Sequence, residues 1–229
     1  MTNFQMARLL FKSPTRAFAN LKEAPVFALP MWIALIGTAS VGVWYYSVVD
    51  ISWLQDQLLT GAHIRPTAQQ FAAAHAPGAR TSLLWTSSIL APVGSLMIAA
   101  IGALYLLLAG SLTKTRYSYR YWFAFTWWVA TPTVVALIPT VLILAFSTTT
   151  QISSNALQPL SLNELLLHMA VDAPGYNLLS NFGLVQLAQA SLAYVGLRVW
   201  SGRSASSCLV LVLLPMVLLY GAWAFISFR

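Results

Sequence analysis

The stretch that decides the fold is SLLWTSSILAPVGSLMIAAIGALYLLLAG, residues 82–110. It contains no Asp, Glu, Lys or Arg. A hydrocarbon core about 30 Å thick needs about 20 apolar residues of helix, so this run crosses with residues to spare. Backbone N–H and C=O groups find no water in lipid, and a helix satisfies them within one segment. Outward from it, four further runs have the same character, near 26–48, 121–147, 181–199 and 206–227. The expectation is an all-α membrane protein: a bundle of five transmembrane helices preceded by N-terminal amphipathic interfacial helices. Residues 1–25 form the cytosolic interfacial segment. Residues 26–229 form the transmembrane domain, with outside loops 49–81 and 148–180.

Composition points the same way. The chain is 59% hydrophobic and only 7% charged, against roughly 25% charged in soluble domains. So few charges cannot cover a water-facing surface. The nine Trp and nine Tyr suit anchors at the membrane interface. The formal charge of +7 does not mark a nucleic-acid binder, because the basic residues are spread over loops between spans. Cys208, the single cysteine, lies in an apolar run and can form no internal disulfide.

Lys and Arg in short loops set orientation. With the N-terminus in the cytosol, the inner side holds Arg8, Lys12, Arg16, Lys22, Lys114, Arg116, Arg120, Arg198 and Arg203. The outer side holds Arg65, Arg80 and Arg229, together with Asp50, Asp56, Glu164 and Asp172; Glu23 alone of the acidic residues lies inside. Five spans then give N-in, C-out. Pro215 offers an alternative, a re-entrant final pair that returns the C-terminus to the inside.

Ahead of the first span lies SPTRAFANLKEAP, residues 13–25. Ser13 suits an N-cap and Pro14 the first helical turn. Phe18 and Leu21 share one side of that helix, and Arg16, Asn20, Lys22 and Glu23 lie elsewhere. A secretion signal has a shorter charged head, although GTAS (37–40) mimics a cleavage site. Residues 3–24 read as a helix pair lying on the cytosolic leaflet; the alternative is a solvated basic lead-in.

Lipid supplies no hydrophobic drive for helix association, so small residues mark packing faces. The second span carries Ser87, Ala91, Ser95, Ala99 and Ala103 at every fourth position; the first carries Ala34, Thr38 and Gly42. Either this chain or a partner supplies the opposing helices. In the third span, WVATPTVVALIPT, Pro132 and Pro139 each delete a backbone hydrogen bond, and Thr131, Thr133 and Thr140 can serve the freed carbonyls. Broken helices of this kind either line a transport path or simply give shape. The fourth span carries Asn181, Gln186, Gln189 and Ser191; the glutamines are expected to face other helices and hydrogen-bond there. A pump or ion carrier usually needs a mid-membrane charge, and no span offers a convincing one.

In the outside loops, 50–60 and 67–75 are possible helices. SLNELLLHMAVD carries a capping-box pattern, Ser161 with Glu164, and would place Glu164, His168 and Asp172 on one helical face. A zinc helix typically needs two histidines, so an amphipathic helix resting on the membrane is preferred and no metal site is assigned. KTRYSYRYW (114–122) interleaves Lys114, Arg116 and Arg120 with aromatics and reads as a headgroup-contacting loop, or one that docks a cytosolic partner. No Gly-rich phosphate loop occurs, so no nucleotide or other cofactor is expected.

FKSPTRAFANLKEAP, the prolines of WVATPTVVALIPT and the fourth-span exit LAYVGLRVWSGRSASS together resemble the Yip (Ypt-interacting protein) family, from about residue 8 to 225. The long outside loops look bacterial. The resemblance implies no catalysis. Its eukaryotic members are tied to small GTPases and vesicle traffic through an acidic N-terminal region that is missing here; its bacterial members accompany export machinery, including ABC exporters with a periplasmic adaptor. The implied function is a non-enzymatic accessory subunit in the bacterial inner membrane, touching lipids and a larger transport complex. Its expected partner or lipid contacts are Phe18, Leu21, Ser87, Ala91, Ser95, Ala99, Lys114, Arg116, Arg120, Gln186 and Gln189, with kinks at Pro132, Pro139 and Pro215. A small self-sufficient transporter lined by Pro132, Pro139, Gln186 and Gln189 is the alternative. An enzyme using Glu164, His168 and Asp172 is a third.

Overall fold

Among the described residues helices carry most of the backbone, as lipid demands. A computed structural model describes residues 2–61, 67, 69, 71–72, 76–112, 115 and 117–228. In order come α1 (Asn3–Lys12), α2 (Pro14–Glu23), α3 (Ala28–Val48), α4 (Ile51–Gly61), α5 (Ala79–Trp85), α6 (Ala91–Leu112), α7 (Tyr119–Val129), α8 (Thr131–Phe146), α9 (Tyr176–Asn181), α10 (Leu184–Ser201) and α11 (Ala205–Ser227). Among the described residues there is no strand, only an isolated bridge between Ser161 and Gly183.

Among the described residues, four helical stretches are long and apolar enough to cross a membrane: Ala28–Val48, Ala79–Ser111, Tyr119–Phe146 and Ala205–Ser227. The fifth expected span, α10, is 18 residues long and is not among them, because Gln186, Gln189 and Arg198 dilute its apolar character. The Ala79–Ser111 stretch changes pitch at a π-helical turn, Thr86–Leu90. This turn ends two residues before Pro92, whose missing N–H interrupts the regular ladder. Tyr119–Phe146 breaks at Ala130, ahead of Pro132, and continues through Pro139. Pro215 lies inside a continuous α11, so the re-entrant final pair is not formed.

The chain forms two compact units, Met1–Leu35 with Val93–Val134 and Gln186–Ala222, and Ile36–Pro92 with Val135–Val185 and Trp223–Arg229. In the first, the core gathers Met6, Leu10, Ala17, Phe18, Leu21, Trp122, Phe125, Trp128, Leu197, Trp200 and Cys208. In the second, it gathers Val41, Tyr45, Val49, Ile51, Leu54, Leu144 and Ile152. The Tyr45 hydroxyl donates to the Ile152 carbonyl at 2.8 Å, tying α3 to the segment after α8.

Two local expectations need correction. The segment after Ser161 is a short π-helical turn, Asn163–Leu167, ended by His168 in the left-handed region at φ 48°. Ser161 Oγ does accept from the Glu164 N–H at 3.3 Å. Without a continuous helix, however, neither the amphipathic helix nor a shared face of Glu164, His168 and Asp172 exists. Ser13 does occupy the N-cap of α2 with Pro14 at the first position, but its hydroxyl makes no cap bond. The helix expected at 67–75 lies in part outside the described residues.

Candidate functional site

In the first unit, the basic amphipathic N-terminus is locked into an aromatic core. Thr2 and Gln5 form a reciprocal capping box that starts α1; the T-x-x-Q pattern was its sequence signal. Ser13 and Pro14 turn the chain, and α2 presents Ala17, Phe18 and Leu21 inward. Phe18 meets Phe125 with ring centroids 5.1 Å apart. Trp200 lies 5.1 Å from both Trp122 and Phe125 and 4.9 Å from Tyr117. Its indole N–H donates to the Phe18 carbonyl at 2.8 Å. Gly196 permits this approach: an added Cβ would run into the Phe125 ring and come within 2.9 Å of Phe18. Each such aromatic pair adds about 0.5–1.5 kcal/mol beyond the area it buries.

Phe18 and Leu21 were expected at a lipid or partner interface. They are 0% and 1% exposed instead, because the apolar side of α2 meets this chain's own helices first. The opposite side of α1 remains open, with Phe4 and Phe11 exposed beside Arg8 and Lys12. The loop aromatics Tyr117 and Tyr121 also turn into the core, and the Lys22 ammonium sits 5.8 Å from the Tyr117 ring centroid. Arg120 is exposed. Lys114 and Arg116 lie outside the described residues.

Prolines and glutamines of the spans find specific partners in this unit. Pro132 cannot donate to the Trp128 carbonyl, and the Thr131 hydroxyl takes it at 2.7 Å. Pro215 likewise frees the Leu211 carbonyl, which accepts from the Tyr105 hydroxyl of α6 at 2.8 Å. Sequence reading named the kink at Pro215 but not Tyr105, which sits more than a hundred residues away. Gln189 Nε2 donates to Thr133 Oγ1 at 2.9 Å, and the Gln186 side chain hydrogen-bonds that of Tyr220. Both glutamines therefore join α10 to neighbouring helices.

The profile of the Yip1 domain matches residues 8–226. The chain belongs to the Yip1 family. No curated protein and no solved structure matches it. Membership makes it a multi-pass membrane protein of a generally non-enzymatic family. Two of the three stretches that carry the Yip resemblance, FKSPTRAFANLKEAP and LAYVGLRVWSGRSASS, meet in the Phe18–Trp200 core.

The small-residue stripes of this Yip1 protein divide by position. In the second unit, Ser87 is buried against Gly42, where a Cβ would stand 2.9 Å from that of Ser87. In the first, Ala99 and Ala34 share a buried cluster with Leu35 and Trp127. Ser95 is half-buried and Ala91 exposed. Pro132 and Pro139 are partly buried, and Pro215 is exposed.

Arg80, in the sequence only one of the outer-side basic residues, has a specific structural role. Its guanidinium donates to the carbonyls of Tyr46 at 2.6 Å, Ser47 at 2.9 Å and Val49 at 3.0 Å. It thereby caps the C-terminal end of α3, where carbonyls are orphaned and the helix dipole favours a cation. Glu164 accepts from Asn155 Nδ2 at 2.8 Å. Among the described residues no group of three His, Cys, Asp or Glu could hold a metal ion.

Proposed function

We propose that this Yip1-family chain is a non-enzymatic accessory subunit. It packs beside a bacterial export complex in the inner membrane and stabilises or regulates it; an ABC exporter with a periplasmic adaptor is the form the family resemblance suggests. One observation carries the reading: α11 buries only Cys208 and Val212. Leu213, Leu214, Val217, Leu218, Leu219 and Ile226 are left uncovered. A long face of this kind suits a neighbouring helix or lipid. The paired state of Gln186 and Gln189 favours this reading over a self-sufficient transporter, since both amides are used between helices. Phe4 and Phe11, flanked by Arg8 and Lys12, suit contact with anionic headgroups.

We further propose five spans, N-in and C-out, with α10 as the fourth crossing. Charge supports this. The sequence ranges of the first unit hold nine basic residues and one acidic residue, and those of the second hold three basic and four acidic. That is the asymmetry that positive-inside orientation requires. The polar groups of α10 are tolerable in lipid because Gln186 and Gln189 are paired.

Photocrosslinking residues placed at Leu214 and Leu218, in cells at native expression, test the subunit reading. A discrete adduct with a larger membrane protein is expected, together with its recovery in mild detergent. A monomer crosslinked to nothing but lipid rejects it. For orientation, Cys208→Ser variants carrying Phe4→Cys or Asp172→Cys are exposed to an impermeant thiol reagent. Labelling from outside is expected at residue 172 alone; labelling at both or neither rejects the topology.

A further inference from the structure

The second unit contains a cavity of about 220 Å³ whose wall carries five primary amides, Gln57, Asn155, Gln158, Asn177 and Asn181. Its wall includes no carboxylate and no cation among the described residues. Part of the amide set is already committed. Gln158 Nε2 donates to Asn181 Oδ1 at 2.8 Å, and Asn181 Nδ2 donates to the Asn177 carbonyl at 2.8 Å. Asn155 Nδ2 donates to Glu164, which leaves its own amide oxygen available. The Gln57 and Asn177 side chains make no hydrogen bond among the described residues.

We propose that this cavity is a binding site for a neutral, hydroxyl-rich small molecule of about single-sugar size. A primary amide offers a donor and an acceptor side by side, and a hydroxyl is both donor and acceptor; a ring of amides therefore matches a polyol. Among the described residues no charged side chain lines the wall to match an ionic ligand. A purely apolar ligand would strand the amides. Leu157, Val171 and the Tyr176 side chain supply apolar wall for the C–H faces of a sugar, as in pockets that combine apolar lining with a few placed polar groups.

The test is calorimetric titration of the full-length protein in nanodiscs, with glucose, N-acetylglucosamine and myo-inositol as probes and phosphate and choline as charged comparators. Saturable binding of at least one neutral probe is expected, with none of either ion. Gln57→Ala and Asn177→Ala should each weaken that binding about tenfold, the scale of one lost hydrogen bond. Both should leave the unliganded melting temperature unchanged, because neither amide braces the fold. Saturability separates binding from the general stabilisation that polyols give by exclusion from protein surfaces. The proposal is overturned if no neutral probe saturates, if an ion binds as well as the sugars do, or if binding is unaltered in both variants.

Discussion

Tyr105→Phe isolates one bond at the Pro215 kink. Pro215 has no N–H for the Leu211 carbonyl, and the Tyr105 hydroxyl supplies a donor at 2.8 Å. Deleting that hydroxyl leaves a partly buried carbonyl with no donor from its own helix. Orphaning a buried acceptor costs about 1–3 kcal/mol, whereas interhelical bonds in a membrane protein average about 0.6 and reach about 1.7 kcal/mol. Leu211 is only half-buried, so about 1 kcal/mol is expected, roughly a fivefold change in the unfolding constant. The decisive comparison is the same substitution in a Pro215→Ala background. Residue 215 then donates its own N–H to Leu211, and loss of the tyrosine hydroxyl should cost about 0.5 kcal/mol or less. The four proteins form a double-mutant cycle, read by reversible unfolding in mixed detergent–SDS micelles. A coupling of about 0.5 kcal/mol or more supports the account. Equal losses in both backgrounds would refute the reasoning that the tyrosine serves the carbonyl freed by proline.

Other perturbations follow from single contacts. Gly196→Ala should destabilise by about 1–3 kcal/mol through overpacking against Phe125 and Phe18; an unchanged melting temperature in detergent would show that the rings have room to retreat. Arg80→Ala should cost about 1–2 kcal/mol by uncapping α3, and Arg80→Lys should recover only part of it, because a single ammonium cannot reproduce the fork across three carbonyls. Hydrogen exchange at the end of α3 would report the loss directly, and equal protection in all three proteins would remove the capping role. Gln189→Leu should cost about 0.6 kcal/mol in the same micelle assay; a gain in stability would mean that the amide is not glue between α10 and α8.

Hydropathy located the apolar stretches because lipid and protein interior both demand them, and that shared demand also limits it. Phe4 and Phe18 are the same residue type on neighbouring amphipathic helices, yet one is exposed and the other fully buried. Each helix taken alone reads as membrane-seeking. What separates them is that α2 meets Phe125 and Trp200, residues more than a hundred positions away, while Phe4, on the outer side of α1, is left exposed. The same reasoning explains Gln186 and Gln189. The physical cost of bare amides in lipid made pairing predictable, but Thr133 and Tyr220 could be named as partners only once the helices were placed. The acidic–histidine face failed for a different reason. Helical spacing is only as good as the helix, and the left-handed backbone at His168 ends it before the third residue of the face arrives. The capping role of Arg80 was invisible because it belongs to the end of another helix: a lone arginine in a loop carries no pattern until orphaned carbonyls stand within reach. What sequence resolves in such a chain is therefore the apolar character of each segment, and what it leaves open is which polar groups each helix borrows from its neighbours.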